Sequence, residues 1–189
     1  MNYLLEVKDF KLLGSGAEGS VYLTPEGYAL KVFKNIKNAK DEEEILKKTN
    51  DSPFFPKVIV RFSNILIREY VGGVNLMEYI SKHGLPKELS KEIIDLIEDL
   101  KRLKFKRLNF RNAHIFVNSK GKIKVIDPRK PYVKVTPYPK DIIKILVKYH
   151  VFDKFLKDVL DYNPALLPYW KSAYEYLAKP RIKRIHRYG

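Results

Sequence analysis

Cysteine is absent from the 189 residues, which excludes disulfides and any metal held by thiolates. Histidine is sparse: His83, His114, His150 and His186 are too scattered to suggest a zinc pair, so a metal in this chain has to be held mainly by oxygen. No apolar run approaches the roughly 18 residues that mark a membrane-crossing helix. The opening stretch Met1-Asn2-Tyr3-Leu4-Leu5-Glu6-Val7-Lys8-Asp9 carries acids where a signal peptide needs an apolar centre, so the expected location is cytoplasmic, with no membrane partner. Internal repeats and low-complexity tracts are missing too. The hydrophobic share of 45% is that of an ordinary globular protein, with room for one substantial core or two small lobes sharing a cleft.

Positive charge, by contrast, is plentiful. With 37 Lys+Arg against 22 Asp+Glu the formal charge is +15, which attracts a polyanion such as nucleic acid, nucleotide or anionic lipid at long range. A lysine-rich surface of the kind found in heat-adapted proteins gives the same count. Two stretches concentrate it: Lys101-Arg102-Leu103-Lys104-Phe105-Lys106-Arg107, and the tail with Lys179, Arg181, Lys183, Arg184 and Arg187. If the two converge, nucleic acid is a candidate partner; a solvated basic face and a frayed tail account for the same residues.

Along the chain, residues 3-34 alternate apolar and polar positions around turn residues, which predicts three antiparallel strands. Residues 40-48 predict a short helix, followed by strands over 57-62 and 65-70 across the turn Ser63-Asn64. Gly72-Gly73 breaks the pattern like a hinge, and helix dominates beyond it. From Glu88 to Lys104 the residues Leu89, Ile93, Leu96, Ile97, Leu100 and Leu103 form one apolar stripe at helical spacing. A hairpin is expected across 118-121, then helices from about Asp141 and from about Ala165.

The chemistry-bearing residues fall between and at the ends of these elements. Gly14-Ser15-Gly16-Ala17-Glu18-Gly19-Ser20-Val21 has the pattern G-x-G-x-x-G-x-V between two predicted strands, where backbone N–H groups could cover phosphates; a glycine-rich turn explains the same letters. Ala29-Leu30-Lys31 puts a lysine on an otherwise buried strand, where it needs an acidic partner, and the next helix offers Glu42, Glu43 and Glu44. At least two of those acids must face solvent, because helical neighbours point in different directions. Asp127 ends the apolar strand Ile123-Lys124-Val125-Ile126, where a carboxylate has little reason to sit unless it binds a cation or opens a turn before Pro128.

Taken together these segments resemble the protein kinases over about residues 10-130: glycine loop, strand lysine, helix glutamate, hinge, catalytic loop and metal aspartate occur in the same order. The resemblance is closest to minimal archaeal and bacterial kinase-like proteins, related in outline to the RIO kinases and the small KEOPS-complex kinase. It implies an α+β, two-lobed fold: a five-stranded antiparallel N-lobe with one helix over 1-71, and a reduced, mainly helical C-lobe over 72-189, in one domain. It also implies an ATP-dependent serine/threonine protein kinase acting on a protein hydroxyl, with Mg²⁺ as the metal. Gly14, Ser15, Gly16, Gly19, Val21, Ala29 and the backbone of Glu69 and Val71 would hold the nucleotide, Lys31 its phosphates and Asp127 the metal. The spacing to Ile45 and Leu46 favours Glu42 as the lysine's partner, with Glu43 a close second.

Departures from the family pattern lie in the catalytic loop Leu108-Asn109-Phe110-Arg111-Asn112-Ala113-His114. Asn109 stands where the family has its catalytic aspartate; its amide can orient a hydroxyl but cannot take its proton, so transfer is expected to be slow. His114 replaces a metal-binding asparagine. Imidazole is a poor ligand for Mg²⁺ and an acceptable one for Mn²⁺, and a neutral His114 packed on the loop is the simpler reading. Arg111 keeps a positive charge suited to the transferred phosphoryl group. Asp127-Pro128-Arg129 replaces Asp-Phe-Gly, and about a dozen residues before Asp141 leave no room for a phosphorylated activation loop. The alternatives are a pseudokinase that binds nucleotide and recruits a protein or nucleic-acid partner, and a small-molecule kinase.

Overall fold

The structure, a computed structural model, describes residues 10–128 and 130–178. The beginning of the expected first strand, the basic tail from Lys179 and Arg129 lie outside the described residues. The chain is α+β and two-lobed. Strands β1 (Lys11–Gly16), β2 (Gly19–Leu23), β3 (Tyr28–Phe33), β4 (Val58–Phe62) and β5 (Ile65–Glu69) form an antiparallel sheet in the order β1-β2-β3-β5-β4, with α1 (Ile36–Lys48) between β3 and β4.

Period-two patterning explains which face is covered. On β5, Leu66 and Arg68 are buried while Ile65, Ile67 and Glu69 are less so. Register places Ala29 opposite Arg68, Lys31 opposite Leu66 and Val21 opposite Lys31, so these side chains share one face of the sheet. Helix α1 begins at Ile36, a turn earlier than the charge pattern predicts, because the Asn35 side chain accepts a hydrogen bond from the Lys37 N–H at 2.7 Å.

The other lobe holds a small antiparallel sheet, β6 (Val74–Asn75), β7 (Ile115–Val117) and β8 (Ile123–Val125), under helices α2 (Leu76–His83), α3 (Lys87–Arg102), α4 (Lys140–Lys148), α5 (Phe152–Tyr162) and α6 (Leu167–Ala178). The stripe on α3 is core: Leu89, Ile93, Leu96, Ile97 and Leu100 are fully buried. After α3 the sequence predicts helices from about 141 and 165 only; the structure adds α5 between them. His150 takes a left-handed φ of 56° and the Val151 N–H donates back to the Leu146 carbonyl at 2.9 Å, so α4 stops and a new helix starts. Its buried stripe of Phe152, Phe155 and Val159 is hidden in sequence by the charged residues between. Among the described residues no helix is long and apolar enough to cross a membrane.

One core runs through both lobes. Between α1 and β4 the chain sends Phe54 and Phe55 against the helical lobe, where Phe55 packs on Phe105 and Phe110 at centroid distances of 5.7 and 6.4 Å. Burial of Phe55 alone is worth roughly 2 kcal/mol. Polar groups tie the same segment down: the Phe54 carbonyl accepts from the Val125 N–H at 2.7 Å, and the Ser52 hydroxyl donates to Asp99 at 2.6 Å. On the hinge side, Gly73 has φ +106°, and a Cβ there would lie 2.2 Å from the Val117 carbonyl oxygen.

Candidate functional site

Lys31 sits on β3 and Glu42 on α1, both nearly fully buried, and their charged ends meet at 2.5 Å. From the far end of the helical lobe's small sheet, Asp127 brings a carboxylate oxygen to 3.5 Å from the same ammonium group. His114 Nε2 lies 3.7 Å from the other Asp127 oxygen, and the Phe33 ring centroid lies 4.5 Å from Lys31 Nζ. Four sequence-predicted side chains are thus gathered from β3, α1, the loop of residues 108–114 and the segment after β8. Glu43 is turned elsewhere: Lys47 and Arg61 donate to its carboxylate and hold it below the usual carboxylate range. Glu44 pairs with Lys48. Of the three acids in sequence, helical rotation therefore gives Lys31 its partner in Glu42.

Asp127 is backbone-strained. Its φ is +55°, a region unfavourable to residues with a Cβ, and it precedes Pro128, which restricts it further. Such a conformation costs about 1–3 kcal/mol and persists only where surroundings enforce it. Here the preceding residues are pinned: the Val125 N–H donates to Phe54 O at 2.7 Å and the Ile126 N–H to His114 O at 2.9 Å.

The glycine hairpin closes through Ala17-Glu18, with Gly16 opposite Gly19 and the Ser15 and Ser20 hydroxyls 2.9 Å apart. Its glycines divide by cause. At Gly19 a Cβ would sit 1.9 Å from the Val32 carbonyl oxygen, so the sheet itself requires glycine there. At Gly14 and Gly16 a Cβ would meet nothing within 4 Å. Protein packing does not explain those two, which lie on the exposed edge strand β1.

In the hinge, the Glu69 carboxylate accepts from Lys124 Nζ at 2.9 Å, and the same ammonium group reaches the Phe55 carbonyl at 3.2 Å. The Glu69 carbonyl accepts from Arg68 Nη1 at 3.1 Å. Val71, further along the hinge, is partly exposed. Arg68 is buried, and desolvation lowers its pKa from the ordinary arginine value, partly offset by Glu42, Asp127 and Glu69. Sequence reasoning passes over Arg68, although its two-residue phase with the buried Leu66 is the signal that would have found it.

Asn109 helps hold the lobe together: its side-chain oxygen accepts from the Asp141 N–H at 2.8 Å, capping the first turn of α4 from across the lobe. Replacing it by alanine is expected to cost about 1 kcal/mol, read as a lower urea midpoint. Arg111 is exposed, and its carbonyl accepts from the His114 N–H at 2.9 Å. Asn112, unassigned in sequence, bridges the loop to α2 by donating to Asn75 and accepting from the Met77 N–H, both at 2.9 Å. In the basic stretch Lys101 pairs with Glu98, Arg102 pairs with Asp99, and Arg107 donates to the Asn109 carbonyl. Two of the five cations in that stretch are thus paired with acids, while Lys104 and Lys106 are exposed.

Among the described residues no group of three or more His, Asp or Glu side chains is placed to hold a metal ion. A groove of about 410 Å³ between α1 and β4, lined by Glu43, Lys47, Asn50, Val58, Ile59, Val60 and Arg61, shares no residue with the Lys31 cluster.

No family model matches the chain. Over 145 residues it is 30% identical to mitogen-activated protein kinase kinase 7 of Arabidopsis thaliana. The match takes in 65% of this chain and 46% of that protein, so the chain spans less than half the length of the curated relative it matches. With a five-stranded antiparallel sheet over a mainly helical lobe, and a likeness in sequence to a kinase, the chain is protein-kinase-like.

Proposed function

We propose that the chain is an atypical serine/threonine protein kinase that binds ATP and passes its γ-phosphate to a protein hydroxyl, its own included, within one domain whose N-lobe ends near residue 71. The observation that carries this reading is the convergence of Lys31, Glu42 and Asp127, the last reaching Lys31 across 96 positions of sequence. Glu42 orients the buried lysine, and a metal ion taken up by Asp127 would leave Lys31 and the ion together to hold phosphate oxygens. The glycine hairpin around Gly14 and Gly16 would cover the phosphate chain with its backbone N–H groups, and the backbone of Glu69 and Val71 would meet the base.

Asp127 is one carboxylate, which suits Mg²⁺, an ion that completes its shell with water and substrate phosphates instead of a protein cage. When bound, that ion would neutralise charge between phosphate oxygens. Beside Asp127, His114 would be a further contact for Mn²⁺. Lys31 would hold phosphate oxygens while Glu42 holds Lys31, and Arg111 would cover the transferred group. Asn109 has its oxygen engaged on α4, so its amide nitrogen would be what orients the acceptor hydroxyl. Because phosphoryl transfer has a loose transition state, positioning and charge neutralisation can sustain a slow reaction without a general base. The capping role of Asn109 also favours a second reading, a pseudokinase that binds nucleotide without transfer.

Transfer of labelled γ-phosphate from ATP, in Mg²⁺ and separately in Mn²⁺, to the protein itself and to a generic protein acceptor separates the two. The wild type is expected to transfer slowly. Asn109→Asp keeps the cap, because aspartate caps as well as asparagine, and supplies a base, so the rate is expected to rise at least about tenfold. Nucleotide binding with no transfer by either form would establish the pseudokinase reading.

A further inference from the structure

The positive charge of the chain is concentrated in one stretch. Between Lys101 and His150 the sequence carries 15 Lys+Arg and only two acids, Asp127 and Asp141, which leaves 22 cations against 20 acids in the rest. Acids from elsewhere neutralise part of it: Glu98, Asp99, Glu92 and Glu69 take Lys101, Arg102, Lys122 and Lys124. Lys104, Lys106, Arg111, Lys130, Lys134 and Lys144 are exposed, and none of them forms an ion pair with a described residue.

Backbone bonds gather these cations round Asn109. The Lys106 and Arg107 N–H groups both donate to the Pro131 carbonyl, at 2.8 and 3.0 Å. The Thr136 N–H donates to Lys106 O and the Leu108 N–H to Thr136 O, both at 2.9 Å, so residues 104–108 and 130–136 lie side by side and lead into the loop of residues 108–114. Helix α4 is fastened to the same loop at both ends. Its Asp141 N–H donates to the Asn109 side chain at 2.8 Å, and Lys148 Nζ lies 3.7 Å from the sulfur of Met77, whose own N–H donates to the Asn112 side chain. Lys144 is one turn from Lys148 on that helix, on the same face. Cations crowded together without acids raise the local potential and draw in an anionic partner.

Charge alone admits any polyanion, and the uncharged side chains of this face narrow the choice. Val133 and Val135, 78% and 69% exposed, flank Lys134 and are the most exposed large apolar residues described. A single-stranded nucleic acid is held by aromatic rings open to its bases. The rings of this segment are packed instead: Tyr132 is edge-on to Phe105 at 5.1 Å, and Tyr138 lies between Tyr169 and Tyr176 at 5.4 and 5.2 Å. Valines alternating with a lysine suit an extended polypeptide that carries both carboxylates and apolar groups.

We propose that the phosphate acceptor is an acidic protein segment, a serine or threonine flanked by aspartate or glutamate, whose carboxylates lie against Lys104, Lys106, Lys134 and Lys144 while its hydroxyl lies at Asn109. This rests on the kinase reading above and names its substrate class. In the transfer the hydroxyl oxygen bonds the γ-phosphorus as the bond from that phosphorus to the β–γ bridging oxygen breaks. The electron pair leaves on ADP, and the hydroxyl proton passes to water.

The test uses the full chain and two synthetic peptides with the same central serine, one flanked by glutamates and the other by glutamines. Several exposed ion pairs, each worth about 0.2–1 kcal/mol, together give the glutamate peptide an expected advantage of about tenfold in kcat/KM, carried by KM. The ratio is expected to shrink as salt rises from about 50 to about 300 mM, because exposed charges are screened. Lys106→Glu with Lys134→Glu is expected to bring the two peptides within about twofold, and arginine at both positions to restore the preference. Transfer to both peptides alike, or to the generic acceptor and to neither peptide, overturns the acidic acceptor and leaves the kinase reading standing. No transfer to any acceptor overturns both. Fluorescence anisotropy with the labelled glutamate peptide gives a reading apart from catalysis: a single-stranded RNA that displaces it with higher affinity at the same salt assigns the face to nucleic acid and overturns the proposal.

Discussion

Asp127→Asn is expected to lower phosphate transfer by at least about 100-fold while leaving stability within about 1 kcal/mol of the wild type. The two effects separate because Asp127 has two properties with different causes. Its carboxylate faces Lys31 and His114 and would carry the metal; its backbone sits at φ +55°. Asparagine removes the charge but tolerates the left-handed region. Lys31 keeps its closer partner Glu42 at 2.5 Å, so the buried lysine is not stranded. Glycine at 127 is expected to be equally inactive and equally stable. Alanine, which has neither glycine's freedom nor asparagine's local hydrogen bonding, is expected to be less stable than either by about 1–2 kcal/mol. Urea denaturation and labelled transfer on the three variants read the two properties independently. Equal stability of the alanine and glycine forms would rule out the strain, and an active asparagine form would rule out Asp127 as the metal carboxylate.

A larger structural loss, about 3–4 kcal/mol, is expected for Gly73→Ala. The added Cβ would lie 2.2 Å from the Val117 oxygen, 2.8 Å from its carbonyl carbon and 3.0 Å from Asn118 Cα, all backbone atoms that cannot rotate away. Positive φ at +106° adds its own cost. Relief would require β6 to peel from β7, breaking the pairing of Val74 with Val117 next to the hinge. Gly14→Ala and Gly16→Ala are the controls: with nothing within 4 Å they are expected to change stability by less than about 1 kcal/mol. Equal losses in all three variants would mean that loop entropy, not the close approach, governs Gly73.

How much of this was legible in the sequence depended on whether a feature was local. The five strands and α1 follow from alternation and turn residues, and the resulting antiparallel sheet is the one observed. Between Glu42 and Glu43 the sequence offers only the spacing to Ile45 and Leu46, which favours Glu42 with Glu43 a close second; in the structure a 100° rotation about α1 aims Glu42 at Lys31 and Glu43 at Arg61. Asn109 reads in sequence as a catalytic substitution, but its bond to Asp141 spans 32 positions and has no local signature. Arg68 was hidden because an arginine at a strand end is ordinarily solvated, and only the register with Ala29 and the cover of α1 bury it. The helix α5 was missed where a left-handed residue, His150, replaced the usual glycine as the stop signal.

The segment carrying Phe54 and Phe55 bears on how the cleft can move. The lobes are joined covalently near Gly73 and a second time by this insertion, where Val125 and Lys124 bind the Phe54 and Phe55 carbonyls. A body attached at one point can swing in any direction, but one attached at two can rotate only about the line between them. Opening of the Lys31–Asp127 cleft is therefore confined to a twist about that axis, and a gaping motion first requires Phe55 to leave its place between Phe105 and Phe110.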